Sequence, residues 1–324
     1  MRSGKGSPGR SEEAYCLIIN FSCGNLEEVR MKKFLVVILG MVLLAAVGCG
    51  SEQKQADGKL PVVASFYPMA DFTRQIGGDL LQVDTLIADG VEPHDWEPTA
   101  KDLTKLGNAR LFVYNGGVEN WARPALEAVK DKQVASVEAG KGLFDEKATH
   151  VDPHVWLSPR KAVLEVAAIT AALVQADPEH AAVYKKNSEA YQEKLLQLDQ
   201  RLTELAAKAP QKLFVTTHAA FGHLAEDYGL QQVAIMGISP DAEPTPADLK
   251  NLISTIKDNQ VKYVFFETLV SPRIAQTVAE ASGAETLVLD PLEGLSEAGR
   301  NNGDDYLKIM TRNIDNLELA LGVK

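Results

Sequence analysis

The chain has 324 residues, of which 45% are hydrophobic and 24% charged, and this suits one large or two modest globular domains with an ordinary core. The same composition is too polar for a protein that crosses a membrane many times. Acidic residues outnumber basic ones by 44 to 33, giving a net charge of −11, so the basic surface typical of nucleic-acid binding is not predicted.

The first predicted element is a secretory signal that begins at a second methionine, Met31. Lys32 and Lys33 precede an uncharged apolar run from 34 to 47, which is shorter than the ~20 residues needed to span a bilayer. This order of parts favours a signal peptide at 31–48 over a single-pass anchor. Because the residues before it show no periodicity, we interpret 1–30 as a gene-start extension.

A lipid attachment site is predicted where the signal ends. The sequence Ala46-Val-Gly-Cys49 resembles the bacterial lipobox, in which the cysteine is acylated and becomes the new N-terminus. Acyl chains would anchor the protein to membrane lipid, and the polar stretch that completes residues 49–59 would act as a tether. Cys16 and Cys23 fall in the extension, so the mature chain is expected to have neither a disulfide nor a cysteine metal site.

Strands and helices alternate between residues 60 and 176, which predicts a parallel sheet built from βα units. Strands are predicted at 60–66, 83–87, 110–114 and 134–137, and helices at 69–76, 99–106 and 159–175. Together they form a predicted N-terminal α/β lobe.

A different pattern occupies residues 177–210. Large apolar residues recur at helical spacing with no glycine between them, which predicts one helix about 45 Å long. Alternation then resumes over 211–324, with strands at 213–217, 232–236, 263–266 and 286–289 and helices at 219–228, 246–259, 272–282 and 304–321. The predicted fold class is therefore α/β, with two lobes of mainly parallel sheet joined by one long backbone helix.

Three of the six histidines stand where a ligand site is expected. His94 lies beyond the strand at 83–87, His154 opens a loop before the helix at 159–175, and His218 directly follows the strand at 213–217. Ligands of α/β proteins bind beyond the carboxyl ends of strands. Taken singly, each histidine is more often a structural or exposed residue than a ligand, and the sequence separations alone do not establish a common site. His180 and His223 are assigned no role.

Four blocks of sequence carry a resemblance to a known family. They are 92–99 (EPHDWEPT), 152–159 (DPHVWLSP), 214–230 (FVTTHAAFGHLAEDYGL) and 287–292 (LVLDPL). The chain resembles the substrate-binding lipoproteins of bacterial zinc and manganese ABC importers over essentially all of 60–324. The resemblance implies two lobes joined by a rigid helix, with the metal bound in the cleft by His94, His154, His218 and Asp290.

The implied ligands favour zinc as the transported metal, with manganese or iron as the runner-up. Zinc-type members of the family resemble this chain in having histidine at the third ligand position, where manganese-type members have a carboxylate. Three imidazoles and one carboxylate suit tetrahedral zinc, whereas manganese prefers more oxygen ligands. The segment 141–151 lacks the long histidine-rich loop of many zinc receptors, so a second capture site is not predicted.

The resemblance implies an extracytoplasmic, high-affinity zinc receptor that is not an enzyme. It would be a monomer, anchored through Cys49, that delivers metal to a membrane permease and its ATPase. An exported zinc hydrolase is the competing hypothesis, with Glu267 as the base for a metal-bound water. Glu267 is equally well explained as a residue that orients an imidazole, and an Asp290 ligand would leave no position for water. An adhesive surface lipoprotein would explain the anchor but not the four blocks.

Overall fold

Two four-stranded parallel sheets form the framework of the computed structural model, which describes residues 58–239, 244–269 and 271–324. The predicted extension, signal peptide, Cys49 and most of the tether lie outside the described residues. No helix in the described part of the chain has both the length and the apolar character needed to cross a membrane.

The first sheet forms the N-terminal lobe. Its strands are β1 (Leu60–Ala64), β2 (Leu81–Thr85), β3 (Leu111–Tyr114) and β4 (Ala135–Glu138), in the spatial order β2-β1-β3-β4. The helices of this lobe are α1 (Tyr67–Gly77), α2 (Ala100–Gly107), α3 (Ala122–Ala128) and α4 (Pro159–Ala176). Only α3 has no counterpart among the predicted elements of this lobe, because it is short and has a proline in its first turn.

The second sheet repeats the same topology in the C-terminal lobe. Its strands β5 (Leu213–Thr216), β6 (Gln231–Ala234), β7 (Tyr263–Phe266) and β8 (Glu285–Val288) are ordered β6-β5-β7-β8. The helices that follow the linking helix are α6 (Gly222–Tyr228), α7 (Pro246–Asp258), α8 (Arg273–Ser282), α9 (Glu297–Asn301) and α10 (Tyr306–Ala320). The predicted α/β class with two parallel-sheet lobes is confirmed.

The long helix α5 (Ala181–Lys208) connects the lobes and packs against both. Its 28 residues make a rod of about 42 Å, close to the predicted length. Tyr191 on α5 donates a hydrogen bond to Asp71 on α1 of the N-terminal lobe. About two turns before its end, Arg201 forms ion pairs with Asp315 and Glu318 on α10 of the C-terminal lobe.

A large apolar core runs through both lobes and the helix between them, and a second, smaller core lies within the C-terminal lobe. Trp156 is fully buried where the lobes meet, and its ring packs edge-on against Phe66 at a centroid distance of 5.0 Å. Its indole N–H donates to the carbonyl of Pro291 (2.8 Å), and its own carbonyl accepts a bond from the Tyr306 hydroxyl. The loops on the two sides of the cleft are therefore held together by packing and by hydrogen bonds.

Candidate metal centre

The three candidate histidines converge in the cleft from the carboxyl ends of both sheets. His94 comes from the loop after β2, His154 from the loop after β4, and His218 from the first turn beyond β5. His154 and His218 are fully buried, and the side chain of His94 is 9% exposed. The fold thus brings together residues that are 60 and 64 positions apart in the sequence.

Glu293 completes a four-atom group with these imidazoles. Its Oε1 lies 3.1 Å from Nε2 of His94, 3.2 Å from Nε2 of His154 and 3.5 Å from Nε2 of His218. Nε2 of His94 and Nε2 of His154 are 3.2 Å apart. Zinc–nitrogen bonds of about 2.0–2.1 Å place neighbouring tetrahedral ligands about 3.3 Å apart. These four distances are close to that value, and all four donor atoms lie within 4.8 Å of one another.

Carboxylates behind two of the imidazoles determine which ring nitrogen faces the cleft. Oδ1 of Asp152 lies 2.8 Å from Nδ1 of His154, and Oε2 of Glu267 lies 2.7 Å from Nδ1 of His218. A carboxylate only accepts, so both Nδ1 atoms carry a proton and Nε2 is the nitrogen of each ring that faces the site. Nε2 of His218 is buried and makes no hydrogen bond within the described residues, as expected of a donor atom awaiting a cation.

His94 is oriented by its own loop instead. Its backbone N–H donates to both oxygens of Glu92, at 3.2 and 3.1 Å. Two residues on, Trp96 packs edge-on against Trp121 with ring centroids 4.8 Å apart. These contacts hold the loop against the N-terminal lobe, with the imidazole of His94 directed at Glu293.

Asp290, which the resemblance implies as the fourth ligand, is not in the four-atom group. Its Oδ2 accepts from the Thr268 hydroxyl at 2.9 Å, and its Oδ1 accepts from the N–H of Leu292 at 2.8 Å. Leu292 has a φ of 55°, so the chain turns sharply there, and Glu293 with its extra methylene reaches the imidazoles. The fourth member of the cluster of possible ligand atoms is therefore Glu293 and not Asp290. The sequence offered both acids in Asp290-Pro-Leu-Glu293, and Glu293 lies just beyond the matching block.

Glu267 binds the backbone as well as the ring of His218. Its Oε1 accepts from the N–H of His218 at 3.1 Å and from the hydroxyl of Thr217. Glu267 follows β7, which neighbours β5 in the sheet, so two adjacent strand ends provide the histidine and its carboxylate. With both oxygens engaged in this way, Glu267 orients His218 and is not one of the four clustered donors.

The electrostatics of the site favour a cation. Burial opposes charge on His218, but its hydrogen bond with Glu267 and the nearby carboxylate of Glu293 outweigh this effect and raise its pKa to about 10. Burial likewise opposes ionisation of Glu293, but its close contacts with the three imidazoles hold its pKa well below the usual range. The ionised carboxylate of Glu293 therefore lies beside His154 and His218, whose pKa values are both raised. A divalent cation can replace the protons of these two imidazoles.

The two histidines that were assigned no role have other partners. Nδ1 of His180 lies 2.7 Å from Asp177, at the start of the linking helix. His223 lies between Lys161 and the carbonyl of Asp152. Neither belongs to the four-atom group.

Comparisons with known proteins find relatives that are named for zinc uptake and zinc binding. The model of the family described as zinc-uptake complex component A, periplasmic (ZnuA) matches residues 62–320. The high-affinity zinc uptake system protein ZnuA of Bacillus subtilis is 43% identical over 309 residues, covering 89% of this chain and 97% of that protein. The zinc-binding lipoprotein AdcA of Streptococcus pneumoniae is 41% identical over 305 residues and 89% of this chain. The match spans only 61% of that relative's own length.

A solved structure supports the same relationship. The crystal structure of the Zn(II)-bound ZnuA-like domain of Streptococcus pneumoniae AdcA superposes with a TM-score of 0.74 at 42% sequence identity. The match covers 82% of this chain and 99% of that domain.

Proposed function

We propose, given that the chain belongs to the ZnuA family of periplasmic zinc-uptake components, that it is an extracytoplasmic receptor that binds zinc and delivers it to an ABC importer. The observation that carries this proposal is the set of four donor atoms, three imidazole nitrogens and one carboxylate oxygen, clustered within 4.8 Å of one another. Membership of the family supports a role in zinc uptake, and the four donor atoms support the binding of the metal itself.

The proposed ligands are His94, His154, His218 and Glu293. Each imidazole would bind through Nε2, because Asp152 and Glu267 engage Nδ1 of His154 and His218. Three nitrogen donors and one charged oxygen, clustered within 4.8 Å, favour zinc over manganese, which prefers a larger, oxygen-rich shell. Manganese or iron remains the alternative cargo.

The same four donors support binding rather than catalysis. A hydrolytic zinc site keeps one position open for water, whereas here Glu293 fills the fourth corner and the oxygens of Glu267 are engaged by His218 and Thr217. The family is one of uptake components, so the exported hydrolase considered from the sequence is not supported.

Location and partners follow from the family and from the start of the chain. The relative AdcA is named a lipoprotein, which supports an anchor on this chain as well. The proposed anchor is Cys49, after cleavage between Gly48 and Cys49, with the described domain tethered outside the membrane. The proposed partner is the cognate permease with its ATPase, and the receptor would act as a monomer.

Metal content and competition test the function. Purified protein should contain about one equivalent of zinc by plasma mass spectrometry, and zinc should displace manganese in a competition titration. His154→Ala should lose the metal, whereas His180→Ala, which changes a histidine outside the cluster, should retain it. His218→Glu should shift preference toward manganese by adding an oxygen donor. Tighter binding of manganese by the wild type would favour the alternative cargo, and no metal binding at all would refute the proposal.

A further inference from the structure

A polar contact joins the two lobes directly behind the proposed ligand His154. In the C-terminal lobe the contact is made by His223, in the first turn of α6. In the N-terminal lobe it is made by the backbone of Asp152 and the side chain of Lys161. Nε2 of His223 lies 2.9 Å from the carbonyl oxygen of Asp152, and Nδ1 lies 2.8 Å from Nζ of Lys161. The packing is close, because a methyl group added at Gly222 would come within 2.5 Å of Oδ2 of Asp152.

The partners of His223 fix its tautomer. A carbonyl oxygen only accepts, so Nε2 must donate, and an ammonium group only donates, so Nδ1 must accept. His223 is therefore the neutral Nε2–H form, with both ring nitrogens satisfied by residues of the opposite lobe. A hydrogen bond on each side of the ring holds α6 against the segment from Asp152 to Lys161.

Further bonds hold the other end of α6 to the same segment. The Ser158 hydroxyl donates to Oδ2 of Asp227 at 2.6 Å, and Arg160 donates to the Asp227 carbonyl at 2.9 Å. Nζ of Lys161 also lies 3.4 Å from Oδ2 of Asp227. Because α6 is anchored at both ends, His223 is held firmly in place beside Asp152.

The contact reaches the metal site through Asp152. The carbonyl of this residue accepts from His223, while its carboxylate accepts from the backbone N–H (3.1 Å) and the Nδ1–H (2.8 Å) of His154. We infer that His223 is a positioning residue for metal retention: it fixes Asp152 from the opposite lobe and so keeps His154 oriented toward the ion. This inference rests on the proposed zinc-binding function.

The consequence concerns the rate at which zinc leaves. Separation of α6 from residues 152–161 would free Asp152 and let the imidazole of His154 rotate away from the metal. The bond from His223 opposes that movement. Loss of residues that support a metal ligand typically weakens binding 10- to 100-fold. Since His223 acts through Asp152, His223→Ala should accelerate zinc dissociation about tenfold and leave the association rate nearly unchanged.

The experiment measures zinc capture and release by the full-length protein in stopped-flow, with a chromophoric chelator as acceptor. His223→Gln is the conservative variant, because an amide can donate to the Asp152 carbonyl and accept from Lys161 at once; it should restore slow dissociation. The absorption spectrum of bound Co²⁺ reports the ligand geometry, and it should change in His223→Ala and return in His223→Gln. His180→Ala is the matched control and should behave as the wild type.

The outcomes separate this inference from the proposed function. If the wild type and His180→Ala fail to bind zinc, the proposed function is wrong. If they bind zinc and His223→Ala releases it at the wild-type rate, or if His223→Gln is as fast as the alanine variant, the positioning role is refuted. Should the alanine variant fail to fold, Lys161→Met offers a second test, since it removes the donor to Nδ1; an unchanged dissociation rate there would also overturn the inference.

Discussion

The two acids Asp290 and Glu293 compete for the fourth corner of the site, and paired amide variants separate them. Glu293→Gln keeps the shape of a side chain whose Oε1 lies 3.1–3.5 Å from three imidazole nitrogens, but it removes the charge. Asp290→Asn removes the charge of a carboxylate whose oxygens accept hydrogen bonds from Thr268 and from the backbone of Leu292. Since Glu293 is the clustered donor, we expect its variant to lose far more zinc affinity.

The size of the loss follows from the number of ligands. Tetrahedral zinc sites in small domains bind with about 10–16 kcal/mol, so one of four ligands accounts for roughly 3 kcal/mol. This corresponds to a rise in Kd of somewhat more than about 100-fold for Glu293→Gln. Asp290→Asn retains both hydrogen bonds, because an amide oxygen accepts from Leu292 and the Thr268 hydroxyl can turn to accept from the amide. Its loss should be clearly smaller.

The assay is a competition titration with a zinc chelator of known affinity, at fixed pH and ionic strength, with melting curves of the metal-free proteins as the folding control. Burial raises the pKa of Asp290 to about 6, so the ionised form is disfavoured in the folded protein and asparagine should not lower the melting temperature at neutral pH. A larger loss of affinity in Asp290→Asn than in Glu293→Gln would refute the assignment and restore Asp290 as the fourth ligand.

Four further predictions concern Glu267, the pH dependence of zinc binding, Asp71 and the lipid anchor. Glu267→Gln should weaken zinc binding about 10- to 100-fold in the same titration, because this carboxylate holds the ring of His218 in place. Zinc affinity should rise between about pH 6 and about pH 9, since carboxylates raise the pKa of His154 and His218 despite their burial and zinc must displace those protons; a Kd independent of pH would contradict this. Burial raises the pKa of Asp71 to about 6, so its contribution to stability is present below about pH 4 and is lost as the pH rises through about 6; Asp71→Asn should flatten this loss in denaturation midpoints measured across that range. Cys49→Ser should abolish labelling of the protein with palmitate, and unchanged labelling would refute the lipid anchor.

Local patterns were sufficient to predict most of the secondary structure. The strand at 263–266 is observed at the predicted residues, and the helices predicted at 159–175 and 246–259 end within one residue of the observed bounds. Apolar runs and proline or glycine boundaries depend on near neighbours in the chain, so the sequence alone carries them. The short helices Ala122–Ala128 and Glu297–Asn301 were missed because neither is long enough to show a helical period.

The sequence also predicted part of the metal-binding site. Three histidines beyond strand ends suggested a ligand site, and the resemblance to metal receptors singled them out. The supporting carboxylate Asp152 lies two residues before His154 within a matching block, yet nothing in the sequence assigned it a role. The sequence allows Glu267 to act as a base or to orient an imidazole. Its contact with Nδ1 of His218 favours the second role.

The sequence by itself determined the alternation of strands and helices and the long helix between the lobes, because these are recorded in neighbouring residues, whereas the three histidines were singled out by the resemblance of whole sequence blocks. Only the tertiary structure shows which acid lies among the imidazoles, since the turn at Leu292 directs Glu293 to them and leaves Asp290 bonded to Thr268. It also supplies the contacts of His223, whose partners lie 71 and 62 residues earlier in the chain. Contacts of this kind exist only once the two lobes have packed around a common core, and no local pattern records them.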